Sequence, residues 1–336
     1  MLPLTADNAL AYVRAQGWLS SAPARVETLG GGVSNVVLRV ESPERTFVLK
    51  QSCPQLRTRD AWFSDLDRVY REQEVMQLLQ PLLPPLSVPD VLFVDRTNYV
   101  FAMSHAPADA MPWKDDLLAG RVESAALGEL AGYILGRMHQ ATAVSEAARS
   151  LADPTVFVQL RVEPFYRRVQ ERRPEVALAV GRIVDQMLSV KEALCHGDYT
   201  PKNLLVHDGG FTLVDYETAY FGDPTMDLGL FLCHLLLKAV KNHALKDKYF
   251  ALTRVFWRAY ASEIRFRPLG ELEARALGHL ASCLLARIDG TSPVDYLPEE
   301  RKRQTVRRLG ASLLHEPARN WEEVLERCAI ELTTSE

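Results

Sequence analysis

Through the first hundred residues, apolar and polar positions change over in short runs. RVETL (25–29), VVLRV (36–40) and TFVLKQ (46–51) predict strands, with the GGGVSN and ESPER turns between them. A helix is predicted at about 65–80, then two more strands, VLFVD and YVFAMS, around a tight RTN turn. Ahead of the sheet, MLPLTADNALAYVRAQGW predicts a short helix with Thr5 as N-cap and Gly17 as stop. After residue 105 the pattern changes. A loop, APADAMPW, leads into helical periodicity at about 122–143, then 155–170 and 174–190, and again from the 220s to the end. No internal repeat or low-complexity tract interrupts it. The expected fold is α+β with two lobes: a small antiparallel sheet in 1–104 and a larger, mostly helical body in 105–336, with a hinge near Ser104–Ala106.

One segment of the second lobe breaks the helical pattern. In LCHGDYTPKNLLVHDGGFTLVDYE (194–217), the runs LLV and FTLV flank an Asp-Gly-Gly turn, which predicts an antiparallel hairpin. Asn203 and Asp215 are equidistant from Gly209, so the hairpin brings them together at its open end. Asp198 lies on the loop that enters it. Three oxygen-bearing side chains are expected to converge where the strands stop.

Composition narrows the function classes. A chain of 336 residues buries a sizeable core and divides readily into two lobes. With 47% hydrophobic and 24% charged residues and a formal charge of -4, it carries no general field for nucleic acid or an anionic membrane. Cys53, Cys195, Cys233, Cys283 and Cys328 are scattered without a CxxC pair and read as reduced core residues. The N-terminus lacks the pattern of a signal peptide. The most apolar run, LGLFLCHLLL (228–237), falls short of the roughly 20 residues that cross a bilayer. A cytoplasmic protein is expected. No zinc spacing occurs among the eight histidines and no GxSxG elbow is present, so His139 and His234 read as packing residues.

The remaining chemistry assembles around a phosphate. Gly31 and Gly32 in GGGVSN allow backbone N–H groups close to an anion, and Ser34 and Asn35 add donors, although the spaced GxGxxG of nucleotide loops is absent. Lys50 lies on the strand that returns from this turn. On the predicted helix, Glu72 falls on the apolar side with Val69, Met76 and Leu79, while Glu74 points away. A carboxylate on an apolar stripe is costly unless paired, and Lys50 is the natural cation. Taken singly, each of these residues reads as readily as a solvated charge or a turn cap; the ordered set reads as a polyphosphate site. Phosphoryl transfer from ATP then needs Mg²⁺ on hard oxygen ligands, for which Asn203 and Asp215 are the pair, and a carboxylate base, for which Asp198 is placed.

HGDYTPKN, followed by VDYE and GDPTMDLG, resembles the aminoglycoside phosphotransferase and choline kinase superfamily, which shares the protein-kinase fold. The resemblance implies a two-lobed protein-kinase-like fold, Asp198 as catalytic base, Asn203 and Asp215 as Mg²⁺ ligands and Lys50 on the ATP phosphates. His196 is expected to shape the catalytic loop and Asp227 to act as scaffold. The adenine is expected between the lobes, bonded to backbone groups of Ser104 and Ala106 and flanked by Met103. Within the superfamily, GGGVSNVVLRV, FVLKQ, REQEVM and ARIDGTSPVDYL resemble methylthioribose kinases, whereas HGDYTPKN and DYET stand nearer the generic small-molecule kinases.

The expected acceptor is the hydroxyl of a small metabolite, with a methylthioribose-like sugar leading and an aminoglycoside or choline-like amino alcohol as alternative. Asp115, Asp116, Asp289 and Asp295 are the carboxylates that could meet a cationic acceptor, with Trp113 at the pocket border. An anionic acceptor would instead draw attention to Arg301, Arg303 or Arg307 in ERKRQTVRR. A catalytically silent ATP-binding module is the rival of a different class.

Overall fold

The computed structural model describes residues 1–30, 34–56, 62–122 and 125–334. Its first lobe is a five-stranded antiparallel sheet: β1 (Arg25–Thr28), β2 (Asn35–Glu41), β3 (Thr46–Ser52), β4 (Val91–Asp95) and β5 (Val100–Ser104), in the spatial order β1-β2-β3-β5-β4. Alternation along β3 feeds two cores. Phe47 and Leu49 face the N-terminal helix Ala6–Ala15, whose Ala9, Tyr12 and Val13 close the outer layer. That helix starts on a reciprocal capping box between Thr5 and Asn8, and the chain leaves it through Gly17 at φ +71°. The opposite face carries Val48 and Lys50 beside Phe101 and Met103 of β5. Against it packs the helix Arg68–Leu79, through Val69, Met76 and Leu79.

The second lobe is built around the helix Thr225–Lys241, buried along nearly all its length. Helix Leu269–Asp289 packs along it, and Ala125–Ala143 pairs with Lys246–Glu263. Short strands sit at the face turned to the sheet: β6 (Met111–Pro112), β7 (Ala193–Cys195), β8 (Leu204–His207), β9 (Gly210–Leu213) and β10 (Tyr220–Gly222). The predicted hairpin is present as β8–β9, with Leu204 opposite Leu213 and the turn at Asp208–Gly209. Its centre lies half a residue earlier than the expected Gly209, so Asn203 stands across from Val214, whose N–H donates to the Asn203 carbonyl at 3.0 Å, and Asp215 is the next residue.

One predicted helix differs in kind. Val158–Arg167 winds in wide π-type turns, with Pro164 inside. Proline has no N–H to give the regular ladder, and the wider turn accommodates that loss. Among the described residues, no single helix is long and apolar enough to cross a membrane.

Candidate active site

Lys50 is the first point of convergence. Its Nζ lies 2.6 Å from Glu72 Oε2 and 2.6 Å from Asp215 Oδ1, so one ammonium joins the sheet, the first lobe's long helix and the end of the hairpin. Glu72 is fully buried, as its place on the apolar stripe predicts, and its Oε1 accepts the Tyr216 N–H at 3.3 Å. Burial by itself would discharge Lys50, but the carboxylates of Asp215 and Glu72 outweigh it and hold the amine above its ordinary value. Burial likewise opposes charge on Asp215, and Lys50 reverses that, keeping the carboxyl below the usual carboxylate range. Asp215 itself adopts φ +72°, ψ +55°, a left-handed conformation rare outside glycine. Strain of this kind persists where surrounding contacts over-determine it, and here Lys50 holds the side chain.

The loop His196–Asn203 is fixed from below. Asp227 accepts the backbone N–H of His196 at 2.7 Å and of Gly197 at 2.8 Å, and His139 Nε2 stands 3.3 Å away. Gly197 has φ +75°, and a Cβ there would meet Thr218 Oγ1 at 2.7 Å, so no other residue fits without movement. The Asp198 N–H donates to His196 Nδ1 at 3.1 Å, which assigns the ring proton to Nε2, facing the Val214 carbonyl at 3.2 Å. Burial lowers the His196 pKa and keeps the ring neutral in this role. The Asp198 carboxylate is held through one oxygen: Oδ2 accepts from Asn203 Nδ2 at 2.9 Å and pairs with Arg161 Nη2 at 2.9 Å. Arg161 also donates from Nε to the Gly197 carbonyl at 2.6 Å. Both contacts fall on Oδ2 and neither on Oδ1.

Two expectations for the glycine turn need correction. Ser34 Oγ donates to Glu217 Oε1 at 2.6 Å and Asn35 Nδ2 to Glu217 Oε2 at 2.7 Å, so these side chains are committed to a carboxylate and not offered to phosphates. The same Glu217 receives Arg68 Nε at 3.1 Å; this fully buried arginine also donates to the Ser34 and Cys53 carbonyls. Glu217 is thus a strut between the lobes. Gly31 and Gly32 lie outside the described residues. Met103 is buried on the Lys50 face of the sheet, beside the expected base site. Ser104 donates its N–H to the Asp90 carbonyl at 2.8 Å, and its Oγ accepts the Asp90 N–H at 2.8 Å. That N–H is therefore not open to a base. Ala106 follows in the hinge, its carbonyl close to His105 Nδ1.

Beyond Asp198 and Asp215 opens a cavity of about 300 Å³. Trp62 from the first lobe and Leu160 and Phe165 from the wide helix wall it, and Trp62 Nε1 ties the lobes by donating to the Gln159 carbonyl at 2.9 Å. Its lining is also basic, with Lys114, Lys238 and Arg287. Of the four candidate acceptor carboxylates, Asp295 lines this cavity and is exposed. Asp116 pairs with Arg121 at 2.6 Å, Asp289 is held by Arg173 and Arg307, and Asp115 is an exposed surface residue away from the lining. Trp113 is a core residue against Phe231, and its neighbour Lys114 takes the pocket position instead. In the basic run, Arg303 and Arg307 serve the helix packing, donating to the Ile288 carbonyl and to Asp289. Arg161, Glu217, Lys238 and Arg287 were not singled out from the sequence. For Lys238 a signal existed: a charge closing the most apolar run of the chain is costly and asks for a reason.

The profile of the phosphotransferase enzyme family matches residues 25–241. A methylthioribose kinase of Exiguobacterium sibiricum is 23% identical over 365 residues, covering 92% of each chain. Among solved structures, a choline/ethanolamine kinase family protein from Mesorhizobium loti superposes with a TM-score of 0.56 at 18% identity, over 96% of this chain and 99% of that one. An amicoumacin kinase in complex with AMP-PNP, Ca2+ and Ami gives 0.56 at 14% identity, over 93% and 94%. The two lobes, the order of motifs along the chain and the extent of the family match agree. The chain belongs to the phosphotransferase enzyme family and is a small-molecule kinase with a two-lobed α+β fold.

Proposed function

We propose that this kinase moves the γ-phosphoryl group of ATP to a hydroxyl of a small, sugar-like metabolite, with Asp198 as the base. The observation that carries this reading is the Asp198 carboxylate, which lines the cavity and is held through Oδ2 by Asn203 and Arg161. A carboxylate fixed in this way orients the acceptor hydroxyl and takes its proton as the new O–P bond forms. Lys50, locked by Glu72, meets the phosphates from the sheet side, and fixed donors of this kind stabilise charge on the transferred group without reorganising. A magnesium ion fits the donor set: the Asp215 carboxylate and the Asn203 carboxamide oxygen are hard ligands, and Mg²⁺ takes one or two such side chains and fills its shell with phosphate and water. When bound it neutralises phosphate charge. Support for a nucleotide and a divalent cation comes from the amicoumacin kinase complex with AMP-PNP and Ca2+.

For the acceptor, the whole-length similarity to methylthioribose kinases supports a sugar-like polyol. A cationic amino alcohol or aminoglycoside fits this cavity less well, since three of the four candidate carboxylates are turned to other partners or to the surface. A cytoplasmic setting suits both ATP and five free cysteines, four of them buried. ADP release tested over pentoses, thiopentoses, amino sugars and amino alcohols decides between these readings, with Asp198→Asn as blank. Turnover of a polyol that vanishes in the blank supports the reading. Nucleotide binding with no turnover of any acceptor class would return the silent module.

A further inference from the structure

The lining of the acceptor cavity is more basic than transfer to a neutral sugar requires. Lys238 is 1% exposed and sits at the end of the central helix Thr225–Lys241, yet no carboxylate pairs with it among the described residues. Its Nζ donates to the His234 carbonyl at 3.2 Å and stands 5.4 Å over the Tyr296 ring. Lys114 and Arg287 line the same cavity and likewise have no carboxylate partner among the described residues. Two polar atoms here are buried without a hydrogen bond, Arg287 Nε and Tyr296 Oη. Burying an unpaired cation is costly, and native cores avoid orphaned polar atoms. A cluster that does both within one cavity is built for something that pairs with it.

We infer that the acceptor carries an anionic group, a carboxylate, phosphate or sulfonate, seated among Lys238, Lys114, Arg287 and Tyr296 in the cavity that Asp198 also lines. Arginine and lysine give charge-assisted hydrogen bonds to such groups, and the tyrosine hydroxyl adds a neutral donor. The acids of the cavity do not cancel this field. Asp198 and Asp215 are engaged by Arg161 and Lys50, Glu217 by Arg68, and Asp295 is exposed to solvent. The pKa of Lys238 reflects the same surroundings: burial, then Lys114 and Arg287, lower it to about 7, opposed by the Cys233 thiol. His234 on the same helix is pushed well below its ordinary value by burial and by Lys238, Arg287, Lys202 and Lys114. An anion would satisfy these groups together, whereas neutral methylthioribose would leave the cations unpaired.

The inference rests on the kinase reading for where the acceptor lies, so the test separates the two. Protein saturated with AMP-PNP and Mg²⁺ is titrated calorimetrically with inorganic phosphate and with acetate; uptake of the nucleotide reports on the kinase reading and uptake of the anion on this one. Wild-type protein is expected to bind at least one anion. Lys238→Met is expected to weaken it about 10–100-fold, the span of one charge-assisted hydrogen bond. Tyr296→Phe, which removes one buried oxygen and keeps the ring, is expected to weaken it by a smaller factor. Turnover follows with a pentose, its 5-phosphate and its aldonic acid. Preference for the phosphate or the acid, with KM raised about 10–100-fold and kcat nearly unchanged in Lys238→Met, supports the inference and tells the two anion sources apart. Nucleotide binding without anion binding, anion binding indifferent to Lys238 and Tyr296, or preference for the neutral pentose would each overturn it and leave the kinase reading standing.

Discussion

Asp198 and Asp215 are both aspartates in one short segment, and their neighbours give them different tasks. Asp198 meets an amide and a guanidinium on one oxygen; Asp215 meets the Lys50 ammonium. Asp198→Asn is expected to lower kcat by about 10²–10⁴-fold, the usual range for general-base catalysis, with AMP-PNP affinity unchanged. Full activity in that variant would remove Asp198 from the mechanism. Asp215→Ala should instead abolish Mg²⁺-dependent nucleotide binding, read by calorimetry with and without the metal. Glu72→Ala leaves Lys50 buried with Asp215 as remaining partner. Breaking a buried ion pair costs about 3–5 kcal/mol. Because Asp215 still offsets part of the charge, a loss near the lower end is expected in denaturant unfolding, with a raised KM for ATP.

Among the elements, the pairing of helices Ala125–Ala143 and Lys246–Glu263 shows how spacing in sequence becomes contact. Gly128, Gly132 and Gly136 recur every fourth residue and form a flat stripe where the partner helix rests. A Cβ on Gly132 would lie 2.1 Å from the Phe256 carbonyl oxygen, a backbone atom that moves only with its helix. Gly132→Ala gains up to about 1 kcal/mol in helix propensity and loses about 1–3 kcal/mol to overpacking, so a net drop in Tm is expected. An unchanged or higher Tm would mean that the helices slide apart at little cost. This pair stands behind the His196–Asn203 loop, since His139 on one helix and Tyr260 on the other meet at 3.1 Å and His139 reaches Asp227, which holds the loop.

At the scale of the whole molecule, the Lys50 and Glu217 networks and the Trp62 anchor bridge the lobes beside an apolar core that runs through both. A ligand that binds across such a cleft stabilises the folded chain by mass action, and AMP-PNP with Mg²⁺ is expected to raise Tm. Lys238 adds a dependence on pH. Its folded pKa of about 7 lies below the ordinary lysine value of 10.5, so between these values the unfolded chain binds more protons and stability rises with pH. Below about 7 the full cost of charging the buried amine is carried, against Lys114 and Arg287 on one side and with only the Cys233 thiol opposing. Lys238→Met is therefore expected to melt above wild type at acidic pH, with the gap closing as pH climbs from about 7 toward 10.5. A gap that stayed constant across that window would show that Lys238 does not titrate there.

Local pattern was enough for the strands, the Thr5 cap, the β8–β9 hairpin and the burial of Glu72 on its stripe, because each depends on periodicity or turn chemistry within a few residues. The closeness of Asp198, Asn203 and Asp215 was legible for the same reason: they lie on one hairpin and the loop that enters it. What escaped lies on elements distant in the chain. Ser34 and Asn35 look like phosphate donors beside glycines, but Glu217, more than 180 residues later, takes their hydrogen bonds. Arg161 reads as an ordinary helix arginine until wide turns about Pro164 aim it at Asp198. Asp289 and Asp295 share one segment, yet Asp289 turns to Arg173 and Arg307 while Asp295 lines the cavity. Spacing assigns residues to a loop or a helix face. Which charge faces which is decided only when separate helices pack, because a carboxylate or an amine takes the partner that burial leaves within reach. The sequence by itself therefore determined the reaction class, and the tertiary structure decided which charges line the cavity.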